Sequence, residues 1–101
     1  MVGKYKVIAL CGSIKFKNEF QQVQKELTLK GNIVISLGEF EDIITNDIKT
    51  MLNDMHKRKI DMSDEIFVIN KGKYIGESTK GEIEYAIKIG KCVNYFESIS
   101  V

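Results

Sequence analysis

The sequence of 101 residues lacks the features that mark several whole classes of protein. No apolar run approaches the ~20 residues needed to cross a lipid bilayer, and residues 1–6 lead into a strand-like segment instead of a signal peptide. There is no repeat period and no long polar tract, which argues against repeat proteins and disorder. We therefore expect a single intracellular, cytoplasmic domain spanning residues 1–101, since domains usually run to ~100–150 residues.

Cysteine and histidine are scarce. The two cysteines, Cys11 and Cys92, have neither the close spacing of a metal site nor the number of a disulfide scaffold, and we expect both thiols to be reduced. His56 is the only histidine, so a catalytic histidine, if the protein uses one, is this residue. The sequence contains no metal-ligand pattern, and we expect neither a metal nor another cofactor.

The chain has no strong charge of either sign. Its formal net charge of +1 provides no broad field for attracting nucleic acid, and we expect neither nucleic acid nor a membrane as a partner. The one basic cluster, at residues 56–59, falls in a helical pattern. A solvated helix face explains this cluster, and a phosphate-binding patch is the alternative.

Two signatures of other α/β proteins are missing. The chain has no Gly-x-x-x-x-Gly-Lys-Ser/Thr phosphate loop, and residues 76–80 do not form one. A phospho-receiver would need an acidic cluster after the first strand and an aspartate at the end of the third, where this sequence has residues 11–13 and Asn70. These differences exclude a nucleoside triphosphatase of that type and a receiver.

Apolar runs and helical spacings alternate along the chain. Continuous apolar runs are typical of strands covered on both faces, and such runs occupy residues 6–11, 33–36, 65–70 and 92–96. Apolar residues at helical spacing predict one helix over 14–30, a second ending near residue 60, and a third ending at Gly90. The order of elements is therefore strand, helix, strand, helix, strand, helix, strand.

Capping residues and loops complete this pattern. Asn46 or Asp47 is available to cap the second helix, and Ser78 or Thr79 the third. The acidic loop at residues 39–42 is long enough to act as a flap over a site.

Alternating strands and helices predict right-handed parallel crossovers. The expected fold is α/β, a small doubly wound, Rossmann- or flavodoxin-like domain with a four-stranded parallel sheet in the order 2-1-3-4. Ligands of such sheets bind outside the carboxyl ends of the strands, where the strand order reverses. That point lies between strands one and three, and it brings Gly12 and Ser13 near residues 70–82.

The residues at this edge allow both a functional and a structural interpretation. Gly12 and Ser13 can present N–H groups and a hydroxyl to a phosphate or sugar, but capping of a strand-to-helix turn needs the same residues. Glu82 would lie in the first turn of the third helix, with Glu84 pointing away from it. A carboxylate there can act as a nucleophile or stabilise the helix dipole.

Three other titratable residues are equally ambiguous. His56 is either a surface residue or a proton donor near the site. Asp61 and Asp64 precede the third strand, where an acid can cap the turn or reach a substrate. Nothing in the local sequence separates these roles.

Two segments resemble a known family. Residues 10–14, Leu-Cys-Gly-Ser-Ile, follow the first strand, and residues 81–86, Gly-Glu-Ile-Glu-Tyr-Ala, open the third helix. Together they resemble the nucleoside 2-deoxyribosyltransferase-like superfamily, and in pattern its deoxynucleoside 5′-monophosphate N-glycosidase branch. The resemblance spans nearly the whole chain. It implies cleavage or transfer of the N-glycosidic bond of a nucleoside or nucleoside 5′-monophosphate.

The resemblance also implies roles for individual residues. Glu82, matched by its spacing to Ala86, would be the nucleophile, and His56 and Asp64 are the other catalytic candidates. Six residues would bind substrate: Cys11, Gly12, Ser13, Gly76, Ser78 and Thr79. Relatives commonly complete their sites across a dimer, so we expect a homodimer.

Two departures from the family pattern keep other hypotheses open. The family's second acid lies about two turns before strand three, and counting back from Asp64 puts His56 there, with Asp54 nearby. The Gly-x-Gly pattern before the nucleophile is replaced by residues 78–81. The leading hypothesis is an N-glycosidase or deoxyribosyltransferase, the second is a non-catalytic nucleotide-binding or regulatory module, and the third is a structural partner protein.

Overall fold

Strands and helices alternate along the chain in a computed structural model that describes residues 2–36 and 45–98. The strands are β1 (Lys6–Gly12), β2 (Asn32–Ser36), β3 (Glu65–Ile69) and β4 (Cys92–Tyr95), and the helices are α1 (Lys17–Leu29), α2 (Asn46–Asp61) and α3 (Glu77–Lys88). Single 3₁₀ turns occupy Ile14–Phe16 and Lys71–Lys73. The acidic loop expected at residues 39–42 lies outside the described residues.

The four strands form one parallel sheet in the order β2-β1-β3-β4. Ala9 of β1 lies opposite Ile35 of β2 on one side and Ile66 of β3 on the other. The predicted α/β fold class and strand order are therefore confirmed. The carboxyl ends of β1 and β3 are neighbours, as the candidate site requires.

Helices cover both faces of this sheet. Because side chains alternate between faces along a strand, Ala9 and Cys11 point to one face and Leu10 to the other. On the first face α2 and α3 complete a core of Ala9, Cys11, Ile60, Ile66, Val68, Ile83 and Ala86. On the second face α1 completes a core of Leu10, Phe16, Phe20, Val23 and Ile69. Each large apolar side chain buried in this way contributes about 1.5–3 kcal/mol to folding.

The caps of two helices differ from the prediction. Thr45, not Asn46 or Asp47, caps α2, and its side-chain oxygen accepts a hydrogen bond from the Ile48 N–H at 3.3 Å. Gly76 occupies the N-cap position of α3, which begins at Glu77, one residue before the earlier of the two predicted caps. In residues 2–36 and 45–98, no helix is long and apolar enough to cross a membrane.

Gly12 is required by the close approach of β1 and β3. Its φ is +154°, and a Cβ atom built on it would lie 2.8 Å from the Ile69 carbonyl oxygen and 3.2 Å from Phe20. A side chain at this position would therefore force the backbone apart where β1 turns out of the sheet. The glycine is needed for the fold whether or not a ligand binds beside it.

Gly12→Ala should lower the free energy of unfolding by about 1–3 kcal/mol, because the added methyl group meets the backbone and the φ angle is unfavourable. Chemical denaturation monitored by circular dichroism measures this loss. Gly81→Ala is the matched control, since the space around Gly81 is open and alanine favours a helix by about 0.5–1 kcal/mol. Equal stability of the two variants would contradict the proposed constraint.

Candidate active site

One face of α3 brings three polar side chains into a row. Ser78, Glu82 and Tyr85 are four and three residues apart, a spacing that places them on one stripe of a helix. The next positions round the helix, Thr79, Ile83 and Ala86, are buried against the sheet. The polar row therefore lies at the border between the core and the solvent, facing α2.

His56 of α2 contacts Glu82 directly. Its Nδ1 atom lies 3.1 Å from Oε2 of Glu82, and the side chains are 16% and 12% exposed, respectively. When this nitrogen carries a proton, the contact stabilises a carboxylate that is largely removed from water. The structure thus brings together two of the three predicted catalytic residues.

Glu82 is not in the first turn of α3, where the sequence placed it. The helix begins at Glu77, so Glu82 lies in the second turn, where the favourable effect of the helix dipole has fallen off. The contact with His56 replaces the dipole as the interaction that holds this carboxylate.

A groove of about 440 Å³ opens beside this pair, between α2 and α3. Its lining residues are Asn53, Lys57, Glu77, Ser78, Gly81, Glu82, Glu84, Tyr85 and Lys88. Polar groups of both charges and one aromatic ring thus surround the Glu82 carboxylate. This is the type of lining that fixes the orientation of a small polar ligand.

Tyr85 forms a second link between the same two helices. Its hydroxyl donates a hydrogen bond of 2.6 Å to the Asp61 carboxylate at the end of α2. This hydrogen bond raises the pKa of the Tyr85 hydroxyl, with smaller contributions from desolvation and from the Asp61 charge. Of the two acids that precede β3, Asp61 is therefore the one turned towards α3.

Asp64, the third predicted catalytic residue, lies at the opposite edge of the sheet. Its carboxylate accepts a hydrogen bond of 2.8 Å from the Val7 N–H, and its own N–H donates to the Val7 carbonyl. Val7 is four residues before Cys11 on β1, about 13 Å away at the usual rise of a strand. The structure does not bring Asp64 to Glu82, because its carboxylate pairs the amino ends of β1 and β3.

Cys11 lies in the buried core between the sheet and the helices α2 and α3. Its side chain is fully buried, so a direct role of the thiol in substrate binding is not supported by its position. Burial raises the pKa of the thiol well above its usual range, and the negative charge of Glu82 raises it further. Cys11 is thus a core residue that senses the charge of Glu82.

The turn after β1 shows the capping role that its sequence allows. The Ser13 side-chain oxygen accepts a hydrogen bond of 3.4 Å from the Lys15 N–H and so caps the 3₁₀ turn. By contrast, no side chain caps α3 at Gly76. The amino end of α3 therefore keeps its N–H groups for water or an anion.

Thr79 is a buried polar group near that end. It is 3% exposed, and in the described part of the chain its hydroxyl has no hydrogen-bond partner. Ser78 is exposed and lines the groove. A buried hydroxyl without a partner is uncommon in proteins and calls for an explanation.

The sequence did not predict a contact between Lys15 and Tyr74 near the candidate site. The Lys15 ammonium group lies 3.5 Å from the centre of the Tyr74 ring, and that ring packs edge-on against Phe16 with centres 6.1 Å apart. The contact links the loop after β1 to the loop after β3. Residues 59 positions apart in the chain meet here only because the two strands are adjacent, which no local pattern reveals.

The four side chains of the basic cluster at residues 56–59 do not lie on one surface. His56 faces Glu82, whereas the Lys59 ammonium group donates to the Ser36 carbonyl at 3.1 Å. Lys57 and Arg58 are exposed.

Within the part of the chain that the structure describes, no group of three or more His, Cys, Asp or Glu side chains could hold a metal ion.

Comparison with known proteins identifies a similar fold. The chain is similar to a 2-desoxiribosyltransferase from Leishmania mexicana, with a TM-score of 0.65 and 18% sequence identity. The match covers 94% of this chain and 66% of that chain. No family model and no curated protein matches the sequence. At this identity the similarity shows a shared fold, which by itself does not establish a shared reaction.

The two cysteines should react very differently with a thiol reagent. Cys92 is exposed and Cys11 is buried with a raised pKa, so one thiol per folded chain should be modified and two in denaturant. Mass spectrometry after short treatment with iodoacetamide counts them. Cys92→Ser should leave the folded chain unmodified, and rapid modification of that variant would show that Cys11 is accessible.

Proposed function

We propose that this protein cleaves or transfers the N-glycosidic bond of a nucleoside or nucleoside 5′-monophosphate, with Glu82 as the nucleophile. The proposal includes membership of the nucleoside 2-deoxyribosyltransferase-like superfamily, in or near its 5′-monophosphate N-glycosidase branch. The cytoplasmic location expected from the sequence belongs to the same proposal.

The observation that carries this proposal is the Glu82–His56 contact at the wall of an open groove. A single carboxylate, mostly buried and held at 3.1 Å by an imidazole, is what a glutamate nucleophile requires. It lies on a fold shared with a 2-desoxiribosyltransferase. Neither a buried structural ion pair nor a surface pair would need a groove of about 440 Å³ beside it.

The proposed reaction has two steps. An oxygen atom of Glu82 attacks C1′ of the sugar through an oxocarbenium-like transition state, the bond from C1′ to the base breaks, and its electron pair moves to the base nitrogen. The base nitrogen takes up a proton, and a glycosyl ester of Glu82 remains. Water in hydrolysis, or a second base in transfer, then attacks C1′ and frees the carboxylate.

His56 has two roles in this scheme. Its N–H holds the carboxylate in one orientation before the reaction. As the bond from C1′ to the base breaks, the imidazole in its protonated form can give a proton to the departing base, and the neutral ring can then take up the proton that the attacking water loses. Asp64 has no role in the scheme because it lies at the far edge of the sheet.

A 5′-phosphate would be bound at the amino end of α3. The uncapped N–H groups after Gly76, the Ser78 hydroxyl and the unpartnered Thr79 hydroxyl support an anion or sugar site there. The backbone of Gly12 and Ser13 lies at the neighbouring strand end. We favour hydrolysis over transfer because these groups suit a phosphorylated substrate.

The alternative function is a non-catalytic nucleotide-binding or regulatory module. A specific observation favours it: among the described residues, no second carboxylate of the kind expected in this family contacts Glu82. Such a module would bind a nucleotide in the same groove without breaking it.

Glu82→Gln should lower the release of free base by at least about 10³-fold, because the amide cannot attack C1′. His56→Gln should lower it by about 10²-fold. Chromatography of a panel of nucleosides and nucleoside monophosphates incubated with the purified protein measures the release.

Glu26→Gln is the matched control. Glu26 is an exposed glutamate on α1 and does not line the groove, so its loss should leave release within about twofold. If the wild-type protein releases no base from any substrate, but still binds a nucleotide after Glu82→Gln, the binding module is the correct function.

We also propose that two copies of this protein associate through α2 as a homodimer. Ile48, Met51 and Met55 form an apolar row on this helix and are 42%, 52% and 41% exposed, respectively. The formal charge of +1 means that two copies repel each other weakly. A second copy of the chain is therefore the proposed occupant of this row.

Met51→Lys should convert the dimer to a monomer, because two like charges would face each other across a two-fold interface. Sedimentation velocity over a range of concentrations gives the oligomeric state. Leu29→Lys is the control, since Leu29 is 78% exposed at the end of α1. A monomeric wild-type protein at all concentrations would rule out this part of the proposal.

A further inference from the structure

Two polar contacts cross the boundary between α2 and α3, and they are one helical turn apart. Glu82 of α3 meets His56 of α2, and Tyr85 of α3 meets Asp61 of α2. Each contact joins a carboxylate to a donor, but the carboxylate is on α3 in the first and on α2 in the second. The proposed reaction uses only the first.

The second contact lies one turn after Glu82 on the same face of α3. Tyr85 follows Glu82 by three residues, so the two side chains lie next to each other on one stripe. The hydroxyl is bound to Asp61 at 2.6 Å, and the Lys57 ammonium group lies 5.7 Å from the centre of the ring. A shift or rotation of α3 relative to α2 would break this hydrogen bond.

We infer that Tyr85 is a positioning residue for Glu82: its hydroxyl, bound to Asp61, keeps α3 in the register that holds the Glu82 carboxylate beside His56. The inference rests on the proposed function for its effect on catalysis. Its effect on the Glu82–His56 contact does not depend on any reaction.

Several features separate this role from a general contribution to stability. Tyr85 is outside the fully buried core and lines the same groove as Glu82. The apolar contacts of Ile60, Ile83 and Ala86 already pack both helices onto the sheet. Loss of one hydroxyl at the rim should therefore leave the fold intact while loosening the alignment of the two side chains.

Tyr85→Phe is the direct test, because it removes the hydroxyl and keeps the ring. It should lower kcat by roughly tenfold and leave KM within about twofold, since a misplaced nucleophile slows the chemistry more than binding. Asp61→Ala should have the same effect. The double variant should be no slower than either single variant, because both remove one interaction.

Two further variants serve as controls. Asp61→Asn keeps an oxygen that can accept from Tyr85 and should restore most of the activity lost in Asp61→Ala. Tyr95→Phe removes a hydroxyl from β4 and should behave as the wild type. Thermal unfolding of all variants establishes that each is folded at the temperature of the assay.

Nuclear magnetic resonance of the His56 ring gives a readout that needs no turnover. The chain has one histidine, so its ring ¹⁵N signals are assigned without ambiguity. Glu82→Gln defines the signal of a His56 that has lost its carboxylate. Tyr85→Phe should move the Nδ1 signal towards that position, and Tyr95→Phe should leave it unchanged.

The outcomes distinguish this inference from the proposed function. An unchanged His56 signal in Tyr85→Phe, or fully additive losses in the double variant, would overturn the positioning role. Absence of turnover in the wild type would remove the proposed reaction, while a moved His56 signal would still support the positioning of Glu82 by Tyr85.

Discussion

The central position of β1 determines where the other parts of the molecule can lie. Residues 8–11 are at most 3% exposed, because β1 pairs with β2 and β3 at its edges and carries helices on both faces. At Gly12 the strand passes so close to Ile69 that no side chain fits. The chain must turn out of the sheet at this point. The loops after β1 and β3 are thereby forced together, and Lys15 can meet Tyr74.

The contacts between α2 and α3 change from apolar to polar with distance from the sheet. Near the sheet it is apolar, with Ile60 and Ile83 in one core. Farther out, the contacts are the Glu82–His56 and Tyr85–Asp61 pairs. A carboxylate at the inner limit of this polar zone is partly desolvated, which strengthens its contact with a donor. The groove opens onto the same carboxylate, so the candidate site lies where the two zones meet.

The sequence was sufficient for the sheet, because continuous apolar runs identify strands covered on both faces. It was less informative about features that depend on single residues, such as the exact ends of helices and the contacts of individual side chains. The cap of α2 was misplaced by one or two residues and that of α3 by two or three, and the shift in α3 moved Glu82 out of the first turn. The choice of Glu82 as a site residue came from the family resemblance and not from local chemistry, and the contact between Glu82 and His56 came from the structure. The position of Asp64 before a strand did not reveal that its carboxylate bonds the Val7 N–H at the amino end of β1.

An imidazole beside Glu82, where the pattern of the family that the sequence resembles has an acid, changes the electrostatics around the proposed nucleophile. A second carboxylate about 3 Å from Glu82 would repel it, whereas an imidazole N–H attracts it. The same group can hold the carboxylate first and release a proton later, so one residue can serve both steps without an additional acid. The missing aspartate is therefore not sufficient reason to prefer a binding module. What separates the two functions is whether Glu82 can leave His56 and approach C1′, and its residual exposure of 12% on the groove side keeps that path open.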